Sequence, residues 1–66
     1  MTGQELRDIR ESMGMSQAQF AKVLGLHAKT ISDLEHDRMR ISESVAKHAL
    51  AEKKLLKIKN ILDTSS

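Results

Sequence analysis

The run Ser16-Gln17-Ala18-Gln19-Phe20-Ala21-Lys22-Val23-Leu24-Gly25-Leu26-His27-Ala28-Lys29-Thr30-Ile31-Ser32-Asp33-Leu34-Glu35 decides the fold. Ser16 and Gln19 have the spacing of a capping box, in which the hydroxyl accepts from the third amide and the third side chain reaches back to the cap. A short helix follows, with Phe20, Ala21 and Leu24 inward, and Gly25 ends it by taking left-handed backbone. The chain restarts almost at once. Leu26 plugs the core beneath the turn, His27 stands where a cap belongs, and Ile31 and Leu34 share one face of a helix from about Ala28 to Glu35 or His36. Ala21 is small where the two helices approach closely. Two short helices joined by Gly25-Leu26-His27 have the spacing of a helix-turn-helix.

Upstream, Thr2-Gly3-Gln4-Glu5 is another capping box, and Leu6, Ile9 and Met13 then recur at helical spacing. Gly14 is placed to end that helix. Downstream, His36-Asp37-Arg38-Met39-Arg40-Ile41 reads as a polar loop with one or two buried anchors, and Ser42 as a fourth cap. From Glu43 to Leu62 nothing interrupts a helix rich in Ala, Leu, Lys and Glu. Its apolar groups fall on two sides. Val45, Ala49 and Leu56 form one stripe, while Ala51, Leu55, Ile58 and Leu62 form another with the 4-3-4 spacing of a coiled-coil seam, flanked by Leu50 and Ile61. One side can cover the core and the other can meet a partner. Thr64-Ser65-Ser66 reads as a frayed tail.

Composition agrees and excludes much else. The chain has 66 residues, with no Pro, Cys, Trp or Tyr, and Phe20 is its only aromatic. A β-sandwich or barrel would want turn-forming Pro and aromatic, β-branched strands. Absence of cysteine excludes disulfides and thiolate metal sites. So short a chain buries only about 60% of its unfolded surface, and without covalent staples a second subunit is the expected support. No apolar stretch approaches a membrane span, and the N-terminus lacks the basic and apolar regions of a signal peptide. A cytoplasmic location is expected. His27, His36 and His48 lack metal-ligand spacing, serines sit at caps rather than beside a base, and no Gly-rich phosphate loop exists. These readings predict no catalytic residue, no metal, no cofactor and no small-molecule ligand. The four methionines read as gap fillers in or near the core.

The second helix of a helix-turn-helix is shaped to enter a DNA major groove. The quoted run resembles the phage repressor and Cro family, also called the XRE type, and Leu6-Arg7-Asp8-Ile9-Arg10 fits that family's first helix. The resemblance covers about Leu6 to Ile41. It implies a compact five-helix domain that binds operator DNA, usually as a dimer, and the chain itself reads as an all-α repressor-like domain of four to five helices. Two features depart from the pattern. Asp37 stands where the family usually carries Gly, and the proline common before the fourth helix is missing. Aspartate tolerates left-handed backbone better than most residues, so the first departure is compatible. The family's fourth and fifth helices are fused here into one long helix.

The resemblance implies base-edge contacts at Ala28, Lys29 and Asp33, and Ser32 shares their outer face. Lys29 can donate to guanine O6 and N7, the Ala28 methyl can touch a thymine methyl, and Asp33 can accept from cytosine N4. The plain alternative for Asp33 is a local partner for Lys29, four residues earlier. Gln17, in the first turn of its helix, is a phosphate contact by position and by resemblance, or else a solvated polar residue. Thr30, Arg38 and Arg40 are phosphate candidates on the helix flank and loop, with solvated side chains as the alternative. His27 either caps its helix or touches the DNA backbone. The resemblance also implies a partly buried ion pair between Arg10 and Glu35, against two separate exposed charges.

Taken as a single domain over residues 1–66, with 43–63 as a long helix for dimerisation, the chain reads as a DNA-binding transcriptional regulator. The expectation is a repressor that binds a short palindromic operator as a homodimer. One rival is a DNA-binding antitoxin whose last helix grips a partner protein. Another is a helical bundle that does not bind DNA. The net charge of +2 gives little guidance, because residues 1–25 and 26–42 each balance three basic against three acidic groups. The excess lies wholly in residues 43–66, with five lysines against Glu43, Glu52 and Asp63.

Overall fold

A computed structural model describes the backbone of residues 1–65 and the side chains of residues 1–58. Four helices follow one another: α1 (Gly3–Ser12), α2 (Gln17–Leu24), α3 (Ala28–Glu35) and α4 (Glu43–Ser65). Thus α4 is continuous, as its composition predicts, and runs through Thr64 and Ser65, where the sequence reading has a frayed tail. Both predicted capping boxes are formed: Thr2 with Glu5, and Ser16 with Gln19. At α4 the Ser42 hydroxyl accepts from the Val45 amide at 3.2 Å.

The first three helices end by one device. At the end of α1, Gly14 has φ 67° and the Met15 amide returns to the Arg10 carbonyl. At the end of α2, Gly25 has φ 69° and the Leu26 amide returns to Ala21. At the end of α3, Asp37 has φ 58° and the Arg38 amide returns to Asp33. Each is a left-handed residue followed by a six-to-one hydrogen bond, which satisfies helix-end carbonyls and reverses the chain. Aspartate is tolerated at the third, and it has a second use. Its Oδ1 accepts from the Gly3 amide at 2.9 Å, occupying one of the amides left open at the start of α1.

That contact reflects a close crossing. A Cβ built on Gly3 would lie 2.6 Å from the Leu34 carbonyl oxygen and closer still to that of Glu35. The N-terminus of α1 therefore rests on the C-terminal carbonyls of α3, with favourable dipole ends facing. Sequence reading found the capping box here but not the need for glycine.

Leu6, Ile9, Phe20, Ala21, Leu24, Ile31, Leu34, Ile41 and Ala49 make the core, with Phe20, Leu6 and Ile31 fully enclosed. Of the predicted inner stripe of α4, Ala49 is buried and Val45 packs partly against the core, joined by Ala46 from outside that stripe. Leu56 is half-buried beyond the core cluster. Ile41 is the buried anchor of the loop. Met13 and Met15 also pack against the core, but Met1 and Met39 are exposed, which corrects the reading of all four methionines as gap fillers. Helices α1 and α2 both pack on α3 and on α4.

Arg10 ties three of these segments together. Its Nε and Nη2 donate to Glu35 Oε2 and Oε1 at 2.7 and 3.1 Å, and its Nη1 donates to the Met15 carbonyl at 2.9 Å. The Glu35 side chain is only 2% exposed, so the implied ion pair is present and nearly dry on the carboxylate side. The hydrogen bond to Glu35 raises the Arg10 pKa above its ordinary value, against the opposing effect of burial.

Two outcomes follow. Gly3→Ala improves intrinsic helix propensity by about 1 kcal/mol, yet it should destabilise by about 1–3 kcal/mol, because backbone must move to admit the methyl. A raised melting temperature would refute the close crossing. Arg10→Ala strands a buried carboxylate and should cost about 3–5 kcal/mol in urea denaturation. A change typical of a surface residue would show the pair to be incidental.

Candidate nucleic-acid interface

Helix α3 is short, and its two sides differ sharply. Ile31, Leu34 and Glu35 point inward and are buried. Ala28 and Lys29 are exposed and Ser32 and Asp33 half-buried on the other side, so the four residues singled out in the sequence lie together on one outer face. Because α3 packs on α1 and α2, this face is left open to solvent. The spacing of Gly25, Leu26 and His27 sets its angle, since Leu26 packs partly against the core beneath the turn.

The flanking candidates are placed as follows. Thr30 is half-buried on the side of α3. Arg38 and Arg40 are exposed on the loop after it. His27 occupies the N-cap position with extended backbone, φ −89° and ψ 149°, but its side chain makes no capping hydrogen bond. Capping by the His27 ring is therefore not its role. The residue is exposed.

Two contacts were not read from the sequence. Asp33 does not pair with Lys29. Its Oδ1 instead receives Arg38 Nη1 at 3.4 Å, a distance at the weak end for a hydrogen bond. This pairing follows from the reversal at Asp37, which brings residue 38 back over residue 33. A sequence rule limited to neighbours three and four apart on a helix passes it over. Gln17, meanwhile, turns its side chain inward, and its Nε2 donates to Glu35 Oε1 at 3.3 Å. The residue expected on a phosphate thus also touches the buried ion pair.

The acidic groups of this region are all engaged. Glu35 is held by Arg10 and Gln17, Asp37 by the Gly3 amide, and Asp33 by Arg38. Among the described residues Lys29 and Arg40 make no ion pair. The region is neutral in sum, but its unpaired charge is cationic and faces outward. Elsewhere, Lys47 and Glu43, and His48 and Glu52, form exposed pairs along α4. Among the described residues no group of His, Asp and Glu could hold a metal, and no helix is long and apolar enough to cross a membrane.

The outer side of α4 carries the second expected surface. Ala51 is exposed, Leu55 is 60% exposed and Ile58 is 46% exposed, with Leu50 beside them. The fourth residue of that seam, Leu62, and its neighbour Ile61 lie outside the described side chains.

Comparison with known proteins agrees with this geometry. A family model described as "Helix-turn-helix" (HTH_3) matches residues 6–51, which covers most of α1, all of α2 and α3, and the first part of α4. No curated protein and no solved structure gave a significant match. With more than half of its length matched, and with the turn, core and open third helix all in place, the chain belongs to the XRE-type helix-turn-helix family of DNA-binding transcriptional regulators.

Proposed function

We propose that the protein is a repressor that binds a short palindromic operator as a homodimer, with α3 of each copy in a major groove. The observation that carries this reading is the open outer face of α3, which holds Ala28, Lys29, Ser32 and Asp33 side by side. Lys29 reads guanine, Asp33 accepts from the exocyclic amine of cytosine, Ala28 touches thymine, and Ser32 lies between them. Gln17, His27, Thr30, Arg38 and Arg40 ring this face and set its register on phosphates. Gln17 has to leave Glu35 to do so.

The seam Ala51, Leu55, Ile58 and Leu62 joins two copies, spacing the recognition helices about 34 Å apart. Large apolar side chains left in water along one helix face are the signature of a partner. Blocking polymerase is the means of repression, and protein concentration sets operator occupancy through dimer assembly. The protein works in the cytoplasm, where its DNA lies. The exposed Lys47, Lys53, Lys54 and Lys57 on the same helix favour one second reading, in which an acidic partner protein covers α4 as an antitoxin is covered by its toxin.

Selection of bound duplexes from a random pool tests the DNA reading and should return a palindrome with half-sites one helical turn apart. Affinity should fall steeply with salt as phosphate contacts release counterions. Absent or salt-independent binding would sink it. Lys29→Ala should relax preference at one base pair per half-site by about 1–3 kcal/mol. Sedimentation of the isolated protein should show a dimer, and Leu55→Glu with Ile58→Glu should make it monomeric without unfolding. A native protein that sediments as a monomer and dimerises only with a second protein would instead support the partner reading.

A further inference from the structure

We propose that Arg38 is a specificity-determining residue that acts through Asp33, aiming its carboxylate at one base pair and masking its charge from the phosphates. This rests on the reading of α3 as the DNA-reading helix. Three observations lead to it. First, the backbone imposes the pairing. The Arg38 amide donates to the Asp33 carbonyl at 2.9 Å across the left-handed Asp37, so the guanidinium starts beside the carboxylate. Second, the contact is one-sided. Nη1 meets Oδ1 at 3.4 Å, and no other donor among the described residues reaches the Asp33 carboxylate. Oδ2 therefore has no donor among the described residues, on a side chain still 21% exposed, and keeps the acceptor capacity that suits an exocyclic amine.

Third, Asp33 is the one acid of residues 26–42 on the outer face of α3, since Glu35 is buried and Asp37 is turned to the start of α1. An uncovered carboxylate there would repel the phosphates on every sequence, right or wrong. Arg38 lowers that general penalty while keeping the acceptor that discriminates. It is not needed for the fold. Its side chain is 65% exposed, and an exposed pair at this distance contributes little to stability.

The test is a double-mutant cycle on base preference in the full chain. Native protein, Arg38→Ala, Asp33→Ala and the double variant are each put through selection from the random pool, with affinities for the selected duplex and its single-base variants. Both single variants should lose about tenfold of preference at the same base pair, and the double variant should lose no more. Thermal melts should be close to native. If Arg38→Ala instead leaves the preference at that base pair intact, and weakens binding equally whether residue 33 is Asp or Ala, Arg38 is a phosphate contact only and the inference falls. A collapsed melt for Arg38→Ala would show a structural pair and overturn it as well. If native protein selects no sequence, the DNA reading fails and carries this inference down with it. Selection that survives with Arg38-independent preference overturns this inference alone.

Discussion

The buried pair of Arg10 and Glu35 is the contact on which the rest of the domain depends. A carboxylate with 2% of its side chain in water is tolerable only with donors in place, and Arg10 supplies two of them at 2.7 and 3.1 Å. The third arm of the guanidinium holds the Met15 carbonyl, on the turn that leads into α2. One planar cation therefore fixes the last residue of α3 relative to α1 and to the start of α2. Lysine could not do this, because a point charge lacks the fork. What is positioned is the outer face of α3, since Glu35 and Asp33 lie on the same final turn of that helix.

Around that pair the chain reverses three times on left-handed residues, and the third reversal has consequences the others lack. Gly14 and Gly25 serve only the backbone, with open space around the missing Cβ. Asp37 adopts the same conformation at some strain, but its carboxylate reaches the Gly3 amide and stabilises the start of α1. Gly3 in turn is small so that α1 can rest on the carbonyls of Leu34 and Glu35. The departure from glycine in the loop and the glycine at the start of α1 are two halves of one contact.

The same reversal shapes the electrostatics. A neutral recognition region would bind a polyanion poorly if its charges were scattered. Here Glu35 and Asp37 are spent inward, Asp33 is covered by Arg38, and Lys29 and Arg40 face out without partners among the described residues. The free charge of this region is thus cationic and outward, while the net excess of the chain lies in residues 43–66.

Local signals determined most of the architecture by themselves. Capping boxes at Thr2 and Ser16, the stop residues Gly14 and Gly25, and the periodicity of Leu6, Phe20, Ile31 and Leu34 are short-range features that a chain carries in its order. They set four helices, the turn between α2 and α3, and the residues on the outer face of α3. The Arg10 to Glu35 pair was legible only through the resemblance to the repressor family, because nothing local links positions 25 residues apart. Tertiary structure alone decided the need for glycine at position 3, the use of the Asp37 carboxylate, the inward turn of Gln17 and the choice of Arg38 over Lys29 as the partner of Asp33. Each depends on where one helix end lands against another, and those distances are set by packing the whole core.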